Sequence, residues 1–218
     1  NVLEASRQQG AYFVAASSSS VYGANLESPK DEMMRVAPMT PYAASKLAAE
    51  SYVQAYQHSY GLEALTFRFF NVFGPWQRPD HEYAAVIPKW VWKALQGEQI
   101  TVNGDGGIVR DFTYVDDVVE LLMQAIQGRV SHPVPVNLAF GNPVSLLDIV
   151  EALRGSLDGL MEVYGPGRPG DVLHSENDPS LLLSIFPNST TTPFDVGLAK
   201  TIQWLSEHGD EVVGGPAV

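Results

Sequence analysis

The stretch "TPYAASK" places a tyrosine and a lysine four residues apart, at Tyr42 and Lys46. Residues at this spacing lie on the same face of a helix, so the phenol and the ammonium can be neighbours. A tyrosine with a pKa of about 10 is a poor base at neutral pH, and a nearby cation or the positive end of a helix dipole favours its phenolate form. The spacing indicates either a general base beside its activating cation or an exposed helix face without a chemical role.

A run of four serines upstream favours the first interpretation. The apolar run "AYFVAA" at Ala11–Ala16 predicts a buried strand, and the stretch "SSSSVYG", which begins at Ser17, predicts the turn where this strand stops. The carboxyl edge of an open α/β sheet is where such folds bind ligands. We therefore expect serine hydroxyl groups at this edge, near Tyr42 and Lys46.

Strands and helices alternate along the chain, which predicts a parallel sheet covered by helices on both faces. Thr40 and Pro41 begin a helix that Gly61 ends, and the run Leu62–Gly74 is predicted as one strand. Further helices are predicted at "VIPKWVWKALQG", "DDVVELLMQAIQG", "LLDIVEALRG" and "FDVGLAKTIQWLSEHG". Two alternating runs around "GDGG", within Gln99–Val115, predict a β-hairpin.

The composition limits the kinds of partner. The 218 residues are 45% apolar, include no cysteine and carry a net charge of −12. We therefore expect a globular protein without disulfides or metal sites, and neither nucleic acid nor a membrane as a partner. The sequence contains no signal peptide and no long apolar run, so a cytoplasmic location is expected.

Six motifs follow one another in the order of a known family: "SSSSVYG", "PYAASK", "RFFNVFGP", "YAAVIPKW", "GDGGIVRDFTYVDD" and "RPGDVLHS". Together they resemble the extended short-chain dehydrogenase/reductases of the NAD-dependent epimerase/dehydratase family, and most of all the UDP-glucose and UDP-N-acetylglucosamine 4-epimerases. The resemblance implies an α/β fold, with an incomplete Rossmann-type parallel sheet and a smaller C-terminal α/β subdomain that binds the substrate.

The resemblance also implies catalytic roles. Tyr42 would be the general base, and Lys46 would bind the nicotinamide ribose of NAD and lower the pKa of the tyrosine. Ser18 would hydrogen-bond the reacting hydroxyl, and Ser20 would assist it, whereas the other two serines of the stretch would only form the turn. Phe70 would join Tyr42 and Lys46 in the cofactor site.

The same resemblance implies a site for a UDP-sugar. Its substrate-binding residues would be Asn71, Ala85, Val86, Trp90, Asn103, Arg110, Arg168, Asp171 and Ser175. Arg110 and Arg168 would clamp the diphosphate, because a planar guanidinium offers two charge-assisted bonds to phosphate. Asp171 would hold the uridine ribose. Ser175 would line the hexose pocket, where a small residue admits N-acetyl sugars and a tyrosine excludes them.

The residues after Ser18 narrow the reaction. Dehydratases of the family carry an acid and a base there, in a pattern like "TDE", and decarboxylases carry a glutamate at the third place. This chain has Ser19 and Ser20, which disfavours elimination and decarboxylation. The resemblance therefore implies reversible oxidation at sugar C4 through a 4-keto intermediate, which is the NAD-dependent 4-epimerisation of a UDP-hexose or UDP-N-acetylhexosamine.

A second function remains open. The stretch "GPGRPG" at Gly165–Gly170 has the spacing of a dinucleotide-binding turn, but two prolines interrupt it and no helix is predicted after it, so we reject it as an NAD site. The glycine-rich first turn of the family has no match in the sequence. We therefore expect most of the NAD site to be missing, and the chain to be a shortened form, either active or inactive. The alternative hypothesis is a non-catalytic module that binds UDP-sugars or serves in assembly. A related reductase is a third hypothesis.

The resemblance also implies a division of the chain. Residues 1–71 and 112–140 would form the Rossmann-type domain, 72–111 and 141–209 the nucleotide-sugar subdomain, and 210–218 a tail. The strand at Ala11–Ala16 would then have an unpaired edge, which allows association with another copy of the chain.

Overall fold

The structure alternates strands and helices, as the sequence pattern predicts. The computed structural model describes residues 1–80, 84–167 and 173–213. Its helices are α1 (Val2–Gln9), α2 (Pro41–Tyr60), α3 (Val86–Leu95), α4 (Val115–Gly128), α5 (Leu146–Ser156), α6 (Ser180–Ile185) and α7 (Phe194–Val212). Its strands are β1 (Phe13–Ser18), β2 (Ala64–Phe69), β3 (Asn71–Phe73), β4 (Ile100–Asn103), β5 (Val109–Tyr114), β6 (Val136–Leu138), β7 (Pro143–Ser145), β8 (Glu162–Gly165) and β9 (His174–Ser175). A short 3₁₀ turn, Ser19–Tyr22, follows β1.

Three parallel strands form the first sheet, in the order β1–β2–β6. β1 and β2 pair from Phe13 opposite Ala64 to Ser18 opposite Phe69. Their core includes the buried side chains of Leu65, Phe67, Leu121, Leu138 and Phe186. Strands of one direction joined through helices make a Rossmann-like sheet, so the predicted α/β fold class is confirmed.

β5 is the central strand of the second sheet. It pairs in parallel with β3 and β9 and in antiparallel fashion with β7. β4 pairs separately with β8, in parallel. The second sheet therefore joins strands that lie far apart in the sequence.

The β-hairpin predicted within Gln99–Val115 is wrong, because its two arms, β4 and β5, belong to different sheets. Gly104 and Gly106 do turn the chain, with φ of 64° and 79°. Their backbone groups bind outside the turn: the N–H of Gly104 donates to the carbonyl of Gly165, and the carbonyl of Gly106 accepts from the N–H of Leu147. A glycine-rich turn predicts a change of direction, whereas distant strands decide the pairing.

Two other strand predictions change in their limits. β1 continues to Ser18, so Ser17 and Ser18 belong to the strand and not to the turn. The run Leu62–Gly74 holds two strands, β2 and β3, which belong to different sheets and are separated by Phe70. The apolar pattern continues across this break, so periodicity alone does not reveal it.

The ends of α2 follow its sequence signals. The side chain of Thr40 accepts a hydrogen bond from the N–H of Ala43 at 3.1 Å, and Pro41 occupies the first helical position. Gly61 ends the helix in the left-handed conformation, with φ of 66°. These signals set the start of α2 and therefore place Tyr42 in its first turn.

The described residues form two large buried apolar clusters. One surrounds β2, β6, α4 and α6, and the other surrounds β5, α3, α5 and α7. α6 packs in the first cluster, although its residue numbers fall within the predicted segment 141–209. The division of the chain into two domains stays a prediction.

β1 forms one edge of the first sheet, and within the described ranges it pairs only with β2. Its apolar residues Phe13, Val14 and Ala15 are only partly buried. Association through this edge stays a prediction. None of the helices in the described part of the chain is long and apolar enough to span a lipid bilayer.

Gly197 allows α7 to pack closely on the second sheet. A Cβ at this position would lie 2.8 Å from Cζ of Phe73 and 2.9 Å from Cδ2 of Tyr114. Both rings are buried in the core, so neither can move aside without disturbing its neighbours. The absence of a side chain at Gly197 therefore sets how closely α7 approaches β3 and β5.

We expect Gly197→Ala to lower the free energy of unfolding by about 1–3 kcal/mol, because the added methyl group overlaps two buried rings. The matched control is Gly155→Ala in α5, where an added Cβ has nothing within 4 Å. This control should raise the free energy of unfolding by up to about 1 kcal/mol through helix propensity. Denaturant unfolding measures both changes, and a gain of stability in both variants would contradict the packing argument.

Candidate active site

Tyr42 and Lys46 lie together on α2, beside the end of β1. The Nζ atom of Lys46 lies 5.7 Å from the centroid of the Tyr42 ring. The same atom donates a hydrogen bond to the carbonyl of Ala16 at 2.8 Å. The Tyr42 side chain is 57% exposed, so its phenol is accessible and not packed in hydrocarbon. An accessible phenol and a fixed positive charge can together hold and release a proton.

The predicted serine hydroxyls lie at the carboxyl end of β1. Ser18 is the last residue of the strand, and its Oγ accepts a hydrogen bond from the N–H of Ser20 at 3.2 Å. The Oγ of Ser20 is buried and has no hydrogen-bond partner within the described residues. Phe70, the predicted cofactor residue, is buried and packs in one cluster with Tyr22 of the 3₁₀ turn.

The sequence predictions missed a buried ion pair between α2 and the sheet. Nη2 of Arg68 in β2 lies 2.8 Å from Oε2 of Glu50 in α2, and the two side chains are 5% and 2% exposed. Ser17, expected only to form a turn, donates its hydroxyl to Glu50. Two signals point to this pair: Glu50 follows Lys46 by four residues on one helix face, and Arg68 is a charge inside the apolar run "LTFRFF".

Burial and hydrogen bonding shift the pKa values around this pair. Burial raises the pKa of Tyr22 and of Glu32. For Arg68, burial acts to lower the pKa, but hydrogen bonds and charges from Glu50 and Tyr22 oppose it and raise the pKa overall. Arg68 therefore keeps its positive charge inside the sheet.

Three of the predicted substrate-binding residues meet along β5. The side-chain amide of Asn71 donates to the carbonyl of Asp111 at 3.1 Å. Arg110 stands opposite Ser175 in the pairing of β5 with β9, and its Nη1 donates to the carbonyl of Val109 at 2.8 Å. The second sheet thus brings Asn71, Arg110 and Ser175 to neighbouring positions, although they are distant in the sequence.

The other predicted substrate-binding residues are more dispersed. Ala85 and Val86 are partly buried at the start of α3. Trp90 is 5% exposed and belongs to the core around β5. Asn103 is the last residue of β4 and does not share a hairpin with Arg110, since β4 and β5 do not pair.

Two predicted positions, Arg168 and Asp171, lie outside the described residues. The second half of the "GPGRPG" stretch, residues 168–170, lies outside them too. The first residue of the stretch, Gly165, ends β8. The diphosphate clamp and the ribose contact therefore stay predictions.

The model of the NAD dependent epimerase/dehydratase family matches residues 1–139. The chain belongs to this family. A probable UDP-glucuronate 4-epimerase of Rhizobium meliloti is 32% identical over 223 residues, which cover 90% of this chain and 62% of the relative. The chain thus spans 62% of that relative's length.

Solved structures of similar proteins agree with the fold. The UDP-N-acetylglucosamine 4-epimerase from Methanobrevibacter ruminantium, in complex with UDP-N-acetylmuramic acid, is 32% identical with a TM-score of 0.88, over 95% of this chain and 67% of that one. MoeE5, in complex with UDP-glucuronic acid and NAD, is 35% identical with a TM-score of 0.81, over 94% and 69%. Both likenesses bear out the Rossmann-like α/β fold.

NAD is the cofactor of the epimerase family. The described residues fit its nicotinamide end, because an exposed phenol, a fixed ammonium and the unpartnered hydroxyl of Ser20 lie on elements that meet at the end of β1. Tyr42 and Lys46 would hold the nicotinamide ribose. In the part of the chain that the structure describes, no group of three or more His, Cys, Asp or Glu side chains could hold a metal ion.

Asp111 is a fully buried carboxyl group next to Arg110 in β5. Its Oδ2 accepts from the N–H of Asn177 at 3.2 Å, and its Oδ1 has no partner within the described residues. Burial raises the pKa of Asp111 to about 6, against the opposing effect of backbone N–H groups at Asn142, Asn177 and Gly141. In the folded protein the carboxyl group of Asp111 is therefore neutral below about pH 6 and ionised above it.

This pKa makes stability depend on pH. Because the pKa of Asp111 in the folded protein lies above the ordinary value of 3.8, the bound proton stabilises the folded protein. This stabilisation is complete below about pH 3.8 and is lost as the pH rises through about 6. We expect the free energy of unfolding of the wild type to fall, relative to Asp111→Asn, by up to about 3 kcal/mol between about pH 4 and pH 7. Denaturant unfolding across this range measures the difference. Asp158→Asn, which removes an exposed carboxylate, is the control, and parallel curves for wild type and Asp111→Asn would contradict the prediction.

Proposed function

We propose that the protein catalyses the NAD-dependent 4-epimerisation of a UDP-sugar. The observation that carries the proposal is the position of Lys46. Its ammonium is bound to the carbonyl of Ala16 near the carboxyl end of β1 and lies beside the exposed ring of Tyr42. A phenol next to a fixed positive charge, at the sheet edge where such folds bind ligands, suits proton removal from a sugar hydroxyl.

Residues of this chain would remove and return the proton of the hydroxyl group on sugar C4. NAD, when bound, supplies the acceptor and donor of the C4 hydride. Tyr42, as the phenolate, removes the proton of the 4-hydroxyl, and Ser18 hydrogen-bonds the same oxygen. Lys46 stabilises the negative charge of the phenolate. Once the 4-keto sugar has presented its other face, Tyr42 returns the proton, so the reaction inverts C4 without net oxidation.

The nucleotide-sugar would lie along the second sheet. The closeness of Asn71, Arg110 and Ser175 around β5 supports this assignment, because it gathers an amide, a guanidinium and a hydroxyl at one strand. We assign the diphosphate to Arg110 together with Arg168, and the uridine ribose to Asp171. An arginine suits phosphate because its planar fork offers paired donors.

The proposed sugar is a UDP-hexose or a UDP-N-acetylhexosamine. Ser175 is small and only partly buried, which leaves room for an N-acetyl group. A hexuronic acid is a second candidate. It is favoured by the Rhizobium meliloti relative, whose name gives UDP-glucuronate, and by MoeE5, whose complex holds UDP-glucuronic acid.

We expect Tyr42→Phe to reduce turnover of the UDP-sugar by about 10²–10⁴-fold, because phenylalanine cannot carry the proton. The matched control is Tyr52→Phe, which removes an exposed hydroxyl from the same helix and should leave turnover unchanged. Chromatography of the two epimers after incubation with NAD measures the rates. Unchanged turnover in Tyr42→Phe would overturn the assignment of the base.

Calorimetric titration of the wild type with UDP and with NAD separates this proposal from the alternative. Binding of both ligands together with turnover supports the epimerase. Binding of UDP without NAD binding or turnover would instead favour a non-catalytic module that binds UDP-sugars.

We expect Ser175→Tyr to weaken binding of UDP-N-acetylglucosamine by at least about tenfold and to leave UDP-glucose within about twofold, because a phenol fills the space for the N-acetyl group. Titration calorimetry with the two ligands measures the difference. Ser206→Tyr, on the exposed face of α7, is the control for a new surface tyrosine. Equal weakening of both ligands would refute the pocket assignment.

A further inference from the structure

A row of polar residues crosses the first sheet one position before its carboxyl edge. Ser17 of β1 stands opposite Arg68 of β2, and Arg68 stands opposite Asn137 of β6. All three side chains are buried, although the row of positions before them, Ala16, Phe67 and Val136, is apolar. The proposed catalytic hydroxyl, Ser18, is the next residue after this row.

Arg68 binds α2 through two of its nitrogens. Its Nε donates to Oε1 of Glu50 at 2.9 Å, and its Nη2 donates to Oε2 at 2.8 Å. Ser17 adds a third hydrogen bond to the same carboxylate. The carboxylate of Glu50 is therefore held by two strands at once.

The remaining guanidinium nitrogen binds the turn that follows β1. Nη1 of Arg68 donates to the phenol oxygen of Tyr22 at 3.0 Å, and Tyr22 in turn donates to Oδ1 of Asn137 at 2.7 Å. Tyr22 is the last residue of the turn Ser19–Tyr22. One side chain thus contacts both the helix that carries Tyr42 and Lys46 and the turn that contains Ser20.

The spacing of residues along α2 relates the position of Glu50 to those of Tyr42 and Lys46. Tyr42, Lys46 and Glu50 recur every four residues, so they lie along one face of the helix. Glu50 is about 6 Å along the axis from Lys46 and about 12 Å from Tyr42. If α2 shifted by one residue along its axis, Tyr42 would move by about 1.5 Å in that direction. Both hydrogen bonds from Arg68 to Glu50 would then break.

Stability alone does not account for such a pair. The cost of removing two charges from water can exceed their attraction, and apolar pairs of similar volume often replace buried ion pairs without loss. A planar fork differs from an apolar contact because it accepts its partner in one orientation. The geometry of the Glu50–Arg68 pair therefore favours a role in orienting α2 over a role in stabilising the fold.

We propose that Glu50 and Arg68 are positioning residues, which set the Tyr42–Lys46 face of α2 against the serine-bearing end of β1. This inference rests on the proposed function for its effect on turnover. Its effect on the position of Lys46 can be measured without any turnover.

The test is the double variant Glu50→Leu/Arg68→Met, made in the full chain. It removes both charges together, so no unpaired charge is left in the sheet. We expect it to fold with a cooperative thermal transition. We also expect turnover to fall about 100-fold with KM within about twofold of the wild type, because the sugar nucleotide is held by the second sheet.

The second measurement follows the Lys46 ammonium directly. Limited acetylation of the folded protein, quantified by mass spectrometry, gives the reaction rate of Lys46 relative to the exposed Lys89. We expect this ratio to rise about threefold or more in the double variant, because Lys46 leaves the carbonyl of Ala16. An unchanged ratio in the folded variant would overturn the proposal.

Two further variants separate positioning from packing. Val53→Ala shortens a buried side chain of α2 without touching the pair, so it should lower stability and leave both the Lys46 ratio and KM unchanged. Arg68→Lys keeps the charge and loses the fork, so it should raise the Lys46 ratio.

The remaining outcomes also test the proposal that Glu50 and Arg68 position α2. If the double variant does not fold, the result of Arg68→Lys decides the proposal. A rise of the Lys46 ratio in Val53→Ala as large as in the double variant would contradict it. Absence of turnover in the wild type would reject the proposed function, while the Lys46 ratio would still decide the positioning role.

Discussion

The guanidinium of Arg68 is the contact on which the arrangement of the candidate site depends. It joins β2, the helix α2 and the turn after β1 through bonds to Glu50 and Tyr22. Apolar surfaces can slide over one another at small cost, whereas a buried fork with satisfied partners permits one arrangement. The exposed phenol and the ammonium of α2 therefore have a defined position relative to the sheet, although neither of them is buried.

A second constraint connects the proposed proton-transfer residues to the proposed nucleotide site. β2 and β3 belong to different sheets but are separated only by Phe70. Arg68, which holds α2, is thus three residues before Asn71, which binds the backbone of β5. This short connection joins the two sheets, which we propose form one site. Gly197 lets α7 pack closely on β3 and β5.

Family membership and function rest on different observations. The match over residues 1–139 and the likeness to solved epimerases establish the family and the fold. A shared fold can carry several activities, so the proposed reaction depends on the local chemistry of Tyr42, Lys46 and Ser18. The choice of sugar varies among related proteins, whose names include both glucuronate and N-acetylglucosamine. The side chains around Ser175 are therefore where specificity is expected to arise.

The sequence by itself determined the features that depend on neighbouring residues. Thr40 and Gly61 set the ends of α2, the alternation of elements set the parallel sheet, and the order of motifs set the family and the candidate residues. Only the tertiary structure decided which strands pair, so the turn at "GDGG" was predicted but its hairpin was not. It also decided that Ser17 binds Glu50 and that Arg68 lies between helix and turn. Turns and caps are made by residues a few positions apart, whereas strand partners and buried polar contacts are selected by competition among distant segments.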